Sequence, residues 1–144
     1  MTLAQLINRI KFVALTQPTI KMVVDNDVFR LNAIPDAKYG VFAYVQGNHR
    51  TGEDEDVFRF TFFYVDRLVE DGSNEVEVQS VGKSTLDNIM RTLEDEMGVD
   101  EWEITTFNQR FNDMCAGAFC TAVLSVPSDY TCEEVFLPEI IMPR

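Results

Sequence analysis

Residues 57–68 read VFRFTFFYVDRL, and their pattern sets the architecture that the chain can adopt. Phe58, Phe60, Phe62 and Tyr64 alternate with Arg59, Thr61, Phe63 and Val65. A period of two places successive side chains on opposite faces of a β-strand. Aromatic residues on one face demand burial. The other face is also partly apolar, through Phe63 and Val65, so the segment is expected to be a central strand.

Two other segments have the helical period. Leu3, Leu6, Ile7, Ile10 and Val13/Ala14 share one face, with Thr2 placed to cap, and the spacing predicts a helix from about Thr2 to Thr16, closed by Pro18. The turn DGSN (71–74) opens a second helix, whose stripe is Val78, Val81/Gly82, Leu86, Ile89/Met90, Leu93 and Met97. It is expected to end at Gly98, with Glu75, Glu77, Asp87, Asp95 and Glu96 exposed.

Further strands are predicted at 20–24 and 28–34, a hairpin-like pair turning at Asp25-Asn26-Asp27, and at 41–46, 101–108 and 116–127. The order helix, strands, helix, two strands predicts one α+β domain over residues 1–134, with an antiparallel-rich sheet and two main helices on one face. The polar segment GNHRTGEDED (47–56) is expected to protrude as a loop. Residues 135–144, interrupted by Pro138 and Pro143, are expected to form an extended arm.

Composition narrows the function classes. With 144 residues, 46% of them apolar and 25% charged, the chain is that of an ordinary globular domain. No segment approaches the run of about 20 apolar residues that a membrane span needs, and the N-terminus lacks the apolar core of a signal peptide. A soluble protein made inside a cell, without a membrane partner, is expected. The formal net charge is −12. Residues 1–52 carry six Lys/Arg against three acids, and residues 53–144 carry six against 21. Such an acidic chain gains nothing from phosphate counterion release, which argues against a grip on nucleic acid. Opposite potentials on its two halves suit head-to-tail self-association.

Motifs for catalysis are sparse. His49 is the single histidine, and it has no serine or cysteine nearby in a nucleophile context. No nucleophile elbow, zinc-protease motif, phosphate-cradling loop or dinucleotide fingerprint occurs. Asp25-x-Asp27 lacks the further ligands and glycine of a calcium loop. Neither catalytic residues nor a cofactor are expected. The competing reading is a small intracellular acidic enzyme using Asp25, Asp27 or the acids of 53–56, or else an adaptor module.

The three cysteines, Cys115, Cys120 and Cys132, are spaced by five and twelve. Structural zinc sites pair their ligands more closely and need four. Five residues along a strand separates Cys115 and Cys120 onto opposite faces. Both have small or apolar neighbours and are expected to pack as small hydrophobes, with Cys115-Ala116-Gly117 turning into the following strand.

The segment FNQRFNDMCAGAFCTAVLSVPSDYTC (107–132), after a leading helix and a DGSN-opened helix, resembles small virion proteins of tailed phages infecting Bacteroidetes, the crAss-like group included. In that group a Phe–Asn/Asp–Arg–Phe segment precedes Cys-Ala-Gly, then a strand ending in Val/Ile-Pro and a later cysteine. The layout is also similar to tail-terminator and head-to-tail joining proteins. The resemblance implies a tail-terminator-like fold and a structural subunit of the virion neck or tail, assembled in the host cytoplasm. The implied assembly is a closed homo-oligomeric ring of about six or twelve copies. Its implied partners are adjacent portal, connector and tail proteins, with genomic DNA only passing through the lumen. The candidate interface residues are His49, Arg50, Glu53, Asp54, Glu55 and Asp56 in the loop, and Phe136, Leu137, Ile140 and Ile141 in the arm.

Overall fold

The computed structural model describes residues 1–26, 39–69, 71–108 and 115–128. Among these, two helices and seven strands form an α+β fold with one mostly antiparallel sheet.

Helix α1 spans Leu3–Leu15. Thr2 caps it with a reciprocal box: its hydroxyl accepts from the Gln5 amide, and the Gln5 side chain accepts from the Thr2 amide. Its apolar face buries Leu6, Ile10, Val13 and Ala14. Helix α2 spans Glu75–Glu94, shorter than the expected run to Gly98. Met97 is still part-buried against the core, but it lies beyond the last helical turn. Gly98 therefore starts a strand and does not serve as the helix stop.

The strands are β1 (Met22–Val24), β2 (Val41–Gln46), β3 (Arg50–Thr51), β4 (Glu55–Arg67), β5 (Gly98–Val99), β6 (Ile104–Asn108) and β7 (Cys115–Pro127). The sheet order is β1-β2-β4-β7-β5, with β3 also on β4 and β6 also on β7. The aromatic segment is central as expected: β4 pairs along its whole length with β7, from Glu55 opposite Pro127 to Arg67 opposite Cys115. On its other side it pairs with β2 and β3. The edge strand β1 runs parallel to β2. The expected hairpin partner of β1, residues 28–34, lies outside the described residues, as does Asp27.

Two corrections come from register. Cys115-Ala116-Gly117 is not a turn; all three residues already pair with Arg67, Asp66 and Val65. And 47–56 is not a ten-residue loop. Gln46 stands opposite Phe60 and Arg50 opposite Val57, so Gly47-Asn48-His49 face only Phe58-Arg59. That one extra residue is a β-bulge, and β2 and β3 are one strand bent by it. What remains of the loop is the tight turn of Gly52, Glu53 and Asp54 that leads into β4. The other flank repeats the device. Val99 faces Leu124 and Ile104 faces Cys120, so residues 100–103 bulge out opposite 121–123.

Both helices pack on one face of the sheet, over Phe42, Tyr44, Phe58, Phe60, Phe62, Tyr64, Cys120 and Leu124. Phe42, Phe60 and Phe62 pack ring against ring, with centroids 5.3 and 6.0 Å apart. Each fully buried large side chain contributes about 1.5–3 kcal/mol of transfer free energy. The opposite face is apolar too. Val24, Val41, Ala43, Val65, Phe107 and Cys115 are buried there with Phe63 and Phe119 beside them, as the two-sided pattern of β4 requires.

Candidate functional site: the acidic end of the sheet

Strand register brings together two acidic segments that lie about 40 residues apart in sequence. Glu55 is opposite Pro127, Gly98 is opposite Ser125, and the Ser128 amide donates to the Asp54 carbonyl at 3.0 Å. The β3–β4 turn and the segment leaving α2 therefore reach the same end of β7. One contributes exposed Glu53, Asp54 and Glu55, and the other exposed Glu94, Asp95, Glu96, Asp100 and Glu101. Only part of this charge is paired. Arg9 of α1 forms a two-pronged ion pair with Glu96, both contacts 2.6 Å, which holds the Glu96 carboxyl below its ordinary pKa. Asp56, one residue into β4, has a carboxylate oxygen (Oδ1) enclosed with no hydrogen-bond partner among the described residues.

Beside this end, a cleft of about 460 Å³ is lined by Asp87, Arg91, Glu94, Val99, Glu101, Trp102 and Glu103. The 100–103 bulge swings Trp102 onto the helix side. There its indole N–H donates to Asp87 Oδ1 at 3.0 Å, and Asp87 Oδ2 accepts from Arg91 at 2.8 Å. Arg91, followed by burial and the Trp102 hydrogen bond, acts on the Asp87 carboxyl, and the net effect lowers its pKa. The guanidinium of Arg91 also stands 5.8 Å from the indole centroid. A second cleft, of about 400 Å³, shares Glu101 and Glu103 and adds Thr105, Phe119, Thr121 and Val123. The bulge thus has a recess on each side.

The candidate residues of the loop fall at three places. His49 sits in the bulge, Arg50 is on exposed β3, and Glu53 to Asp56 form the turn and the first residues of β4. The arm residues Phe136, Leu137, Ile140 and Ile141 lie outside the described residues. Asp25 is engaged with Lys11 at 2.7 Å and accepts from the Tyr44 hydroxyl at 3.2 Å. The structure does not bring Asp25 together with the acids of 53–56. Cys115 and Cys120 are buried and on opposite faces of the sheet; Cys132 lies outside the described residues. Among the described residues no three His, Cys, Asp or Glu side chains converge as a metal site, and no helix is long and apolar enough to cross a membrane.

The segment 94–103 was not among the candidate site residues. Its acid density was visible, yet its meeting with 53–55 depends on the β4–β7–β5 register, which no local pattern encodes. Comparison with protein-family models and with curated proteins gives no match for this chain.

Proposed function

We propose that the protein is a non-enzymatic structural subunit of a closed ring in the neck or tail of a tailed-phage virion. The ring joins head to tail, and DNA passes through its lumen. The observation that carries the reading is the gathering of exposed carboxylates at one end of the sheet, from the β3–β4 turn and from residues 94–101. A lumen lined by carboxylates repels DNA phosphates and lets the duplex slide without sticking. The helix-led α+β layout and the 107–132 segment are the features through which the chain resembles such subunits. The basic excess of residues 1–52 against the acidic remainder supplies a head-to-tail contact that closes on itself.

Native mass measurement of the purified full chain and of particle-derived material tests the ring. A single closed species of about six or twelve copies supports it; a strict monomer with no particle association removes it. A charge-reversed variant, Glu94→Lys with Asp95→Lys and Glu101→Lys, tests the lumen. It is expected to assemble but to slow DNA passage, and unchanged ejection overturns the lumen assignment.

A further inference from the structure

The bulge that bends β2 into β3 is closed by a side chain. Arg59 of β4 directs both of its backbone groups at this edge. Its carbonyl accepts from the Gly47 amide at 2.7 Å, and its amide donates to Nδ1 of His49 at 3.2 Å. The imidazole takes the place of the strand carbonyl that the extra residue has displaced. Only an unprotonated nitrogen can accept, so the ring proton sits on Nε2, which faces Gln46 Oε1 at 3.0 Å and donates to it. The ring lies against Phe58 and Phe60, with centroids 5.2 and 5.6 Å away.

We propose that His49 is a pH-sensitive latch: the neutral ring fastens β3 to β4, and protonation releases it. A proton added to Nδ1 sets two N–H groups against each other and leaves the Arg59 amide without an acceptor. Beyond the bulge, β3 consists only of Arg50 and Thr51 paired to Val57 and Asp56. Two residue pairs are a weak hold, so the latch governs whether β3 stays paired to β4, while Asp54 and Glu55 remain held to β7 through Ser128 and Pro127.

Partial desolvation where the ring leans on Phe58 and Phe60 lowers the His49 pKa from its usual 6.5, although the residue as a whole is exposed. The ionisable groups on the surrounding elements are Arg50 on β3, Arg59 and Asp56 on β4, and the Lys11–Asp25 pair linking α1 to the end of β1. The sign follows. A depressed pKa means that the open state binds the proton better. The contribution to stability is therefore complete above pH 6.5 and is lost as pH falls through the lower folded value. The latch is a property of the single chain and stands apart from the ring reading.

The test is NMR of the full-length protein with ¹⁵N-labelled histidine and backbone. At pH 7.5 the imidazole nitrogens are expected to report the Nε2-protonated tautomer. As His49 titrates, exchange of the Arg59 and Arg50 amides, the latter in the hydrogen-bonded pair with Val57, is expected to rise by about tenfold or more after correction for its intrinsic pH dependence. Core amides such as that of Phe62 are expected to stay protected. His49→Asn, which retains an acceptor but does not titrate, is expected to keep β3 paired to β4 to lower pH. An Nδ1-protonated tautomer at pH 7.5, or titration of His49 without change at Arg59, overturns the proposal. Should His49→Asn fail to fold, the wild-type titration decides by itself.

Discussion

Gly117 of β7 lies against the backbone of Tyr64 so closely that a β-carbon at position 117 would overlap the Tyr64 carbonyl oxygen. The same tyrosine is pressed from the helix side by Gly82 of α2, where an added β-carbon would come 3.0 Å from Tyr64 Cδ1. Tyr64 is almost completely buried between them, at 1% exposure.

Gly117→Ala is accordingly expected to be among the most damaging single methyl additions in the protein. The contact is with backbone in the centre of the sheet and cannot be relieved by a rotamer change, so a loss of about 3 kcal/mol or more is expected. Gly82→Ala meets the Tyr64 ring at 3.0 Å and Ala118, including its backbone nitrogen, at 3.3 Å, milder contacts than at 117, and alanine returns up to about 1 kcal/mol of helix propensity. Urea denaturation should rank Gly117→Ala far below Gly82→Ala. Equal midpoints would contradict the close approach.

Alkaline pH is expected to destabilise the fold through buried groups. Burial, aided by the charge of Asp87, pushes the Cys120 thiol up to about 12. Burial, with Asp66 next to it, likewise raises the Tyr64 phenol. In both cases the folded state holds its proton more tightly than the unfolded chain. The stabilisation is complete below the unfolded thiol value of 9.0 and declines as pH rises from there towards 12. Denaturation midpoints should fall over that range, and Cys120→Ala should lessen the slope.

Neither Cys115 nor Cys120 should react with a thiol reagent while the protein is folded, since both are buried and only an accessible thiolate attacks. Alkylation at pH 8 followed by peptide mapping is expected to leave both unmodified until denaturant is added. Rapid labelling of the native protein at either position would show that the strand opens.

Trp102 is the only tryptophan, which makes its bond to Asp87 easy to follow. Asp87→Ala removes the acceptor of the indole N–H and the partner of Arg91. A loss of about 1 kcal/mol and a shift in emission are expected. Asp87→Asn keeps an acceptor and should retain most of the emission wavelength. Because the Asp87 carboxyl is held below its reference value of 3.8, its contribution is complete above that pH and is lost on further acidification.

Thr2→Ala breaks the capping box of α1 and is expected to cost about 1 kcal/mol. Circular dichroism melts of the variant should show the drop, and Thr2→Ser should recover most of it.

Much of the fold was legible because periodicity is a local property. The alternation in 57–65 marked a strand apolar on both sides, and both faces are in fact buried. The Leu3–Ala14 stripe and the Thr2 cap marked α1 to within a residue. Residues 41–46 were read with their observed bounds. The errors fall where pairing overrides local composition. Polar, glycine-bearing 47–56 reads as loop, yet four of its ten residues enter strands, because the β3 side of β4 at Val57 and Asp56 is open to pairing. Cys115-Ala116-Gly117 reads as a turn because small residues allow one. Here smallness serves a different end, the close passage of β7 over Tyr64.

The sequence by itself determined the order of the two helices and the main strands, though not β3 or β5. It also determined the central place of 57–68 and the separation of Cys115 from Cys120, since each follows from side-chain period along one segment. The tertiary structure alone decided which acids share an end of the sheet and how the bulge is closed. The first depends on the register of β4, β7 and β5, and the second on an amide of one strand finding the imidazole of another. Both are meetings between distant segments, which local periodicity does not specify.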